Sequence, residues 1–123
     1  TNMVHGLMLA RHLLARHKSS NKQIIMVTDG SPTVMWNKPA NEWEFVFPWG
    51  LELAEMQTLL EVQRCTRENI RINTFMLVRD PDLIAFVRKM SEINKGRAFF
   101  TTPEDLGRYL LVDYLASKQV FRQ

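Results

Sequence analysis

A single cysteine, Cys65, rules out an internal disulfide, and no Cys-x-x-Cys pair exists to build a dithiol redox centre. One cysteine favours a reducing, cytosolic setting. Cys65 sits in a helical pattern without an obvious histidine partner, which reads as buried filler rather than a nucleophile. No apolar run approaches the roughly 18 residues of a membrane span, and no secretory leader pattern opens the chain. There is no Gly-rich phosphate loop and no Gly-x-Ser-x-Gly elbow. Excess charge of one sign is also lacking. The net charge is +3, and lysine and arginine alternate with aspartate and glutamate along most of the chain. That describes a solvated surface, not a nucleic-acid footprint.

What is present is a regular alternation of helix and strand patterns. Met3 to His17 reads as a helix with a broad apolar face, entered through Thr1 or Asn2 as N-cap. Ile24-Ile25-Met26-Val27 is an unbroken apolar run, which predicts a strand buried on both faces. After Asp29-Gly30, the stretch Ser31 to Pro48 is irregular and carries three prolines, with Glu42 to Phe47 able to form a short edge strand or hairpin arm. A second helix spans Leu51 to Glu68, with Leu53, Met56, Leu59, Leu60 and Val62 inward and Glu52, Glu55 and Glu61 outward. Ile72 to Val78 is a strand. Asp80-Pro81 opens a third helix, striped with Leu83, Phe86, Val87, Met90 and Ile93 and closed by Gly96. Ala98 to Phe100 is a short strand, and Thr102-Pro103 opens a last helix to about Ser117.

This order implies an α/β fold, a Rossmann-like three-layer αβα arrangement on a parallel sheet, with three core strands alternating with four helices. Residues 1–123 make one domain. Three strands form a thin sheet, and Thr1-Asn2 stands directly before a helix, so the front of the fold is expected upstream.

In open parallel sheets, ligands gather at the carboxyl ends of the strands. Thr28-Asp29-Gly30-Ser31 occupies that end of the Ile24 to Val27 strand. A carboxylate among hydroxyls is a hard ligand set, suited to Mg²⁺, Mn²⁺ or Ca²⁺. The bland alternative is that Asp29 merely caps the following turn.

The run Ile24-Ile25-Met26-Val27-Thr28-Asp29-Gly30 resembles the fourth-strand signature of von Willebrand factor A (VWA) domains. Thr1-Asn2 before an apolar helix resembles that family's Gly-Thr-Asn segment. The match extends through Arg79-Asp80-Pro81 and Thr102-Pro103-Glu104-Asp105-Leu106, and is nearest to bacterial intracellular members similar to the integrin-like domain of magnesium chelatase. The resemblance implies a binding module rather than an enzyme, with a metal-ion-dependent adhesion site. By position, Thr1 corresponds to that site's second-loop hydroxyl and Asp29 to its third-loop carboxylate, with Gly30, Ser31 and Thr33 around them. The Asp-x-Ser-x-Ser first loop, and the first strand before it, have no counterpart here. The implied cofactor, Mg or Mn, belongs to the complete domain. The implied partner is a protein, such as an AAA-type ATPase or something it remodels. Without the first strand, Ile24 to Val27 is left with an open edge, where self-association is expected.

Other candidates compete. His5, His12 and His17 share a helix but lack the i, i+4 spacing of zinc ligands. Trp36 and Trp43 could anchor a partner or fold over the domain. A rival from another class is a Mg²⁺-dependent phosphohydrolase using Asp29, with Arg79 and Asp80 as helpers. A third reading is a metal-free structural remnant.

Overall fold

A computed structural model describes residues 2–17, 20–46 and 49–121. Helix α1 covers Met3–Ala15, two residues short of the expected His17, and Asn2 caps it by accepting the His5 backbone N–H at 3.1 Å. Strand β1 is Lys22–Thr28, followed by a hairpin of β2 (Val34–Asn37) and β3 (Glu42–Phe45). Then come α2 (Leu51–Arg67), β4 (Ile70–Met76), α3 (Pro81–Asn94), β5 (Ala98–Phe100) and α4 (Pro103–Phe121). The main sheet has the order β1-β4-β5, all parallel, and the hairpin is a separate antiparallel pair. This is the α/β architecture expected, with three parallel strands alternating with four helices. Strand β3 is the hairpin arm expected within Glu42 to Phe47, and β2 corrects the expectation that the preceding residues are irregular. Asn41 in the left-handed region closes its turn, and Asn37 and Glu44 brace it through a 2.7 Å hydrogen bond.

The centre of the sheet is β4, not β1. Ile70, Ile72 and Met76 point to one face, into a core with Met3 and Leu7 of α1, Val62 and Cys65 of α2, and Leu83, Phe86, Val87 and Met90 of α3. On the other face Phe75 stacks on Phe99 at 5.3 Å and meets Tyr109 of α4 edge-on at 4.8 Å. Helices thus cover β4 on both sides. The expectation that Ile24 to Val27 is buried on both faces fails, because β1 is at the edge. Ile24 and Met26 pack against the core, while Ile25 and Val27 are 36% and 44% exposed, on the face where Tyr109 meets Phe75 and Phe99.

Two further expectations are corrected. The inward face of α2 is Ala54, Thr58, Glu61, Val62 and Cys65, whereas Leu53, Met56 and Leu60 are exposed. Glu61, expected outward, is fully buried. It sits one helical turn from Thr58 and Cys65 on the close-packed face, where small side chains let α1 approach. The left-handed C-cap of α3 is Lys95 (φ 66°), not Gly96. Gly96 is needed for a different reason: a Cβ there would lie 1.7 Å from the Ile72 carbonyl oxygen. Asn94, 8% exposed, completes this junction. Its Oδ1 accepts the Ile72 N–H at 2.6 Å, and its Nδ2 donates to Ile70 O and Thr66 Oγ1, both at 2.9 Å.

Candidate functional site at the strand ends

Thr28 is the last residue of β1, buried, and its carbonyl accepts the Leu77 N–H at 2.9 Å, carrying the parallel ladder one step past the strand. Its hydroxyl then holds the turn. Thr28 Oγ1 donates to Gly30 O at 2.7 Å and accepts from Gly30 N at 3.2 Å. The turn is therefore closed by a threonine hydroxyl and not by the Asp29 carboxylate, which lies exposed at the strand end. The Asp29 carboxylate makes no hydrogen bond to this turn among the described residues. Thr28 is the site residue that composition and spacing missed. Its signal was a hydroxyl two residues before a glycine at a strand end.

Gly30, Ser31 and Thr33 pass along one wall of a cleft of about 960 Å³, with Trp49 and Glu52 opposite and Asp80 at the start of α3. Ser31 Oγ is buried without a hydrogen-bond partner among the described residues. Such a group costs roughly 1–3 kcal/mol. Asp29 is not part of this lining, and Thr1 lies outside the described residues, so the implied pair of metal ligands is not brought together here. No group of three or more His, Cys, Asp or Glu side chains with metal-binding geometry occurs among the described residues. One exposed carboxylate and one orphaned hydroxyl fall short of the roughly six oxygens that Mg²⁺ requires. These residues do not fit a complete cation site by themselves.

The other candidates find different employment. Asp80 caps α3 by accepting the Asp82 N–H at 3.0 Å, and the Arg79 guanidinium sits 4.1 Å over the Phe100 ring. Both helpers of the rival hydrolase are thereby engaged. His5 stacks on Trp43 with ring centres 4.8 Å apart, and Trp36 meets Trp43 edge-on at 5.1 Å. Trp36 and Trp43 are thus half-buried against α1 and α2. Trp49, 85% exposed, is the tryptophan on the rim of the strand-end cleft. No helix among the described residues is long and apolar enough to cross a membrane.

Parallel strands, a Thr-Asp-Gly turn at the β1 end and an Asp-Pro entry to α3 set the frame for comparison. The family model described as "Rv0959-like protein, vWA domain" matches residues 1–115. The chain belongs to this VWA family. Among its relatives are the uncharacterised proteins Rv0959 of Mycobacterium tuberculosis and Mb0984 of Mycobacterium bovis, each 29% identical over 119 residues. The aligned region covers 94% of this chain and 17% of either relative. The chain therefore spans about a sixth of the length of these bacterial VWA proteins. No solved structure matches it.

Proposed function

We propose that this VWA-type module binds a protein partner, and that its Asp29 contributes one carboxylate to a divalent-cation site completed elsewhere in the longer protein. The observation that carries this reading is the division of labour at the end of β1. Thr28 secures the turn, which leaves the Asp29 carboxylate exposed and without a structural task. A carboxylate at the carboxyl end of a parallel strand is placed where such sheets bind ligands. Mg²⁺ or Mn²⁺ is the chemistry that an aspartate with neighbouring hydroxyls would serve. Ser31, whose hydroxyl is buried and unpaired, is the second residue positioned to respond to a ligand there. Thr1 is the second ligand by family position, with Gly30 and Thr33 in the loop around them. A cation with one open coordination place would take an Asp or Glu carboxylate from the partner. The module is read as cytoplasmic and its partner as an AAA-type ATPase or a protein such an ATPase remodels, on family resemblance.

The deciding experiment compares wild-type and Asp29→Ala full-length protein in pull-downs with and without EDTA. The expected result is cation-dependent capture of a partner by wild type, lost in the variant. Equal capture by both proteins, insensitive to EDTA, would remove Asp29 from the binding surface.

A further inference from the structure

Away from the strand ends, α1, α2 and the β2–β3 hairpin enclose a second cleft, of about 490 Å³. That volume is within the range of about 300–1,000 Å³ in which small-molecule sites fall. Its walls are mostly apolar or aromatic: Met8 of α1, Leu60 of α2, and a corner of three rings from His5, Trp36 and Trp43. His5 and Trp43 stack at an interplanar angle of 25°, and Trp36 stands across Trp43 at 68°. A flat ring entering this corner meets ring faces and edges together, the arrangement aromatic pairs prefer.

The corner is held in place before any ligand arrives. Gln57 of α2 accepts the Trp36 backbone N–H at 2.7 Å and donates to the Trp36 carbonyl at 3.0 Å. Asn2 fixes the backbone of His5. Walls that need no reordering spare a ligand part of the entropic cost of binding.

The charge of the cleft is one-sided. Among the described residues its ionisable lining residues are His5 and Arg64, and no carboxylate lines it. Arg64 donates through NH1 to Glu61 Oε2 at 2.9 Å, but Glu61 is also paired with Arg11 through its other oxygen. The Arg64 side chain is half exposed, and NH1 is its only engaged nitrogen among the described residues. A guanidinium presents five N–H donors in a fixed fork, so donors remain for an incoming oxyanion.

We propose that this cleft binds a small planar aromatic carboxylate, its ring against Trp36 and Trp43 and its carboxylate on Arg64. This site is separate from the strand-end turn and does not depend on the cation reading.

The test is a titration of the 123-residue protein with indole-3-acetate, followed by the NMR signals of the three tryptophan indole N–H groups. Saturable shifts are expected at Trp36 and Trp43, with Trp49, which lines the other cleft, unmoved. The neutral amide and tryptamine, which keep the ring and lose the anion, should bind at least about tenfold more weakly. Arg64→Gln should bring the acid down to the level of the amide, and Arg64→Lys should restore part of the difference. The ligand series in the unaltered protein decides the matter even if either substitution disturbs Glu61. Equal binding of acid, amide and amine would overturn the proposal. So would shifts centred on Trp49, or no saturation up to about 10 mM.

Discussion

The Nε of Arg11 on α1 donates to Oε1 of Glu61 on α2 at 2.5 Å, and the glutamate is fully buried where it does so. Arg64 takes the second oxygen of Glu61, and Arg11 reaches on to Glu68 at 2.9 Å. The hydrogen bond it donates to Glu61 is the main reason the Arg11 guanidinium has its pKa raised above the ordinary value, against the opposing cost of burial. Glu61→Gln should therefore destabilise the fold by roughly 1.5–3 kcal/mol, since it removes a charged acceptor between the two helices and leaves Arg11 with Glu68 alone as its countercharge. Replacing both partners, as Arg11→Met with Glu61→Leu, should recover most of that loss. Urea denaturation of the two proteins checks this, and a double variant no better than the single would contradict it.

Burial pushes the Cys65 thiol up to about 11, against an ordinary value of 9.0. The unfolded chain releases this proton near 9.0 while the folded protein holds it to about 11. Stability contributed by the neutral thiol is thus complete below pH 9.0 and declines as pH rises toward 11. A Cys65→Ala protein should lack that alkaline decline. Below that window, the folded wild type should resist Ellman's reagent at pH 8 and react fully once denatured. Rapid labelling of the native state would show that Cys65 is accessible.

At the end of α3, three adjacent residues make separable demands. Asn94→Ala leaves the Ile72 N–H and the Ile70 carbonyl without their side-chain partner and should cost at least about 2 kcal/mol. Gly96→Ala drives a methyl group into the Ile72 carbonyl and should cost as much or more. Lys95→Gly should go the other way, gaining up to about 1 kcal/mol by relieving a left-handed lysine. Thermal unfolding should place Gly96→Ala at or below Asn94→Ala, both below wild type, and Lys95→Gly above it.

The open side of β1 is expected to act. Its backbone has β4 on one side and no strand on the other among the described residues, and Ile25 and Val27 add exposed apolar surface beside it. Sedimentation of the isolated chain should show concentration-dependent self-association, weakened by Val27→Lys. A monomer that persists at high concentration would mean this edge is covered or inert.

Much of this was legible in the residues, for physical reasons. Asp80-Pro81 fixes the start of α3 because cap and ring constraint act locally, and the Leu83 to Met90 stripe follows from a single helical period. The run Ile24 to Val27 announces a strand, but local apolarity cannot say which neighbours cover it, so its edge position was hidden. Helix α2 carries apolar residues on two faces, and the longer side chains, Leu53, Met56 and Leu60, lie on the exposed one. The inward face was chosen by close packing against α1, a tertiary demand invisible in periodicity, and Glu61 went in with its arginines. At the candidate site, Asp29 stands out in the sequence by its place after a strand. The pair of hydrogen bonds between the Thr28 hydroxyl and the Gly30 backbone does not, because it depends on a rotamer and a turn geometry together.

The seat of the hairpin has a further consequence. The amide of Gln57 gives and takes one hydrogen bond with the backbone of Trp36, much as a peptide group in a neighbouring strand would. A single side chain thus stands in for a third strand of that small sheet, and it belongs to α2. Whatever shifts α2 along its axis carries both tryptophans with it. Exchanging Gln57 for a residue of similar size without the amide would free the whole aromatic corner while leaving every ring in the sequence.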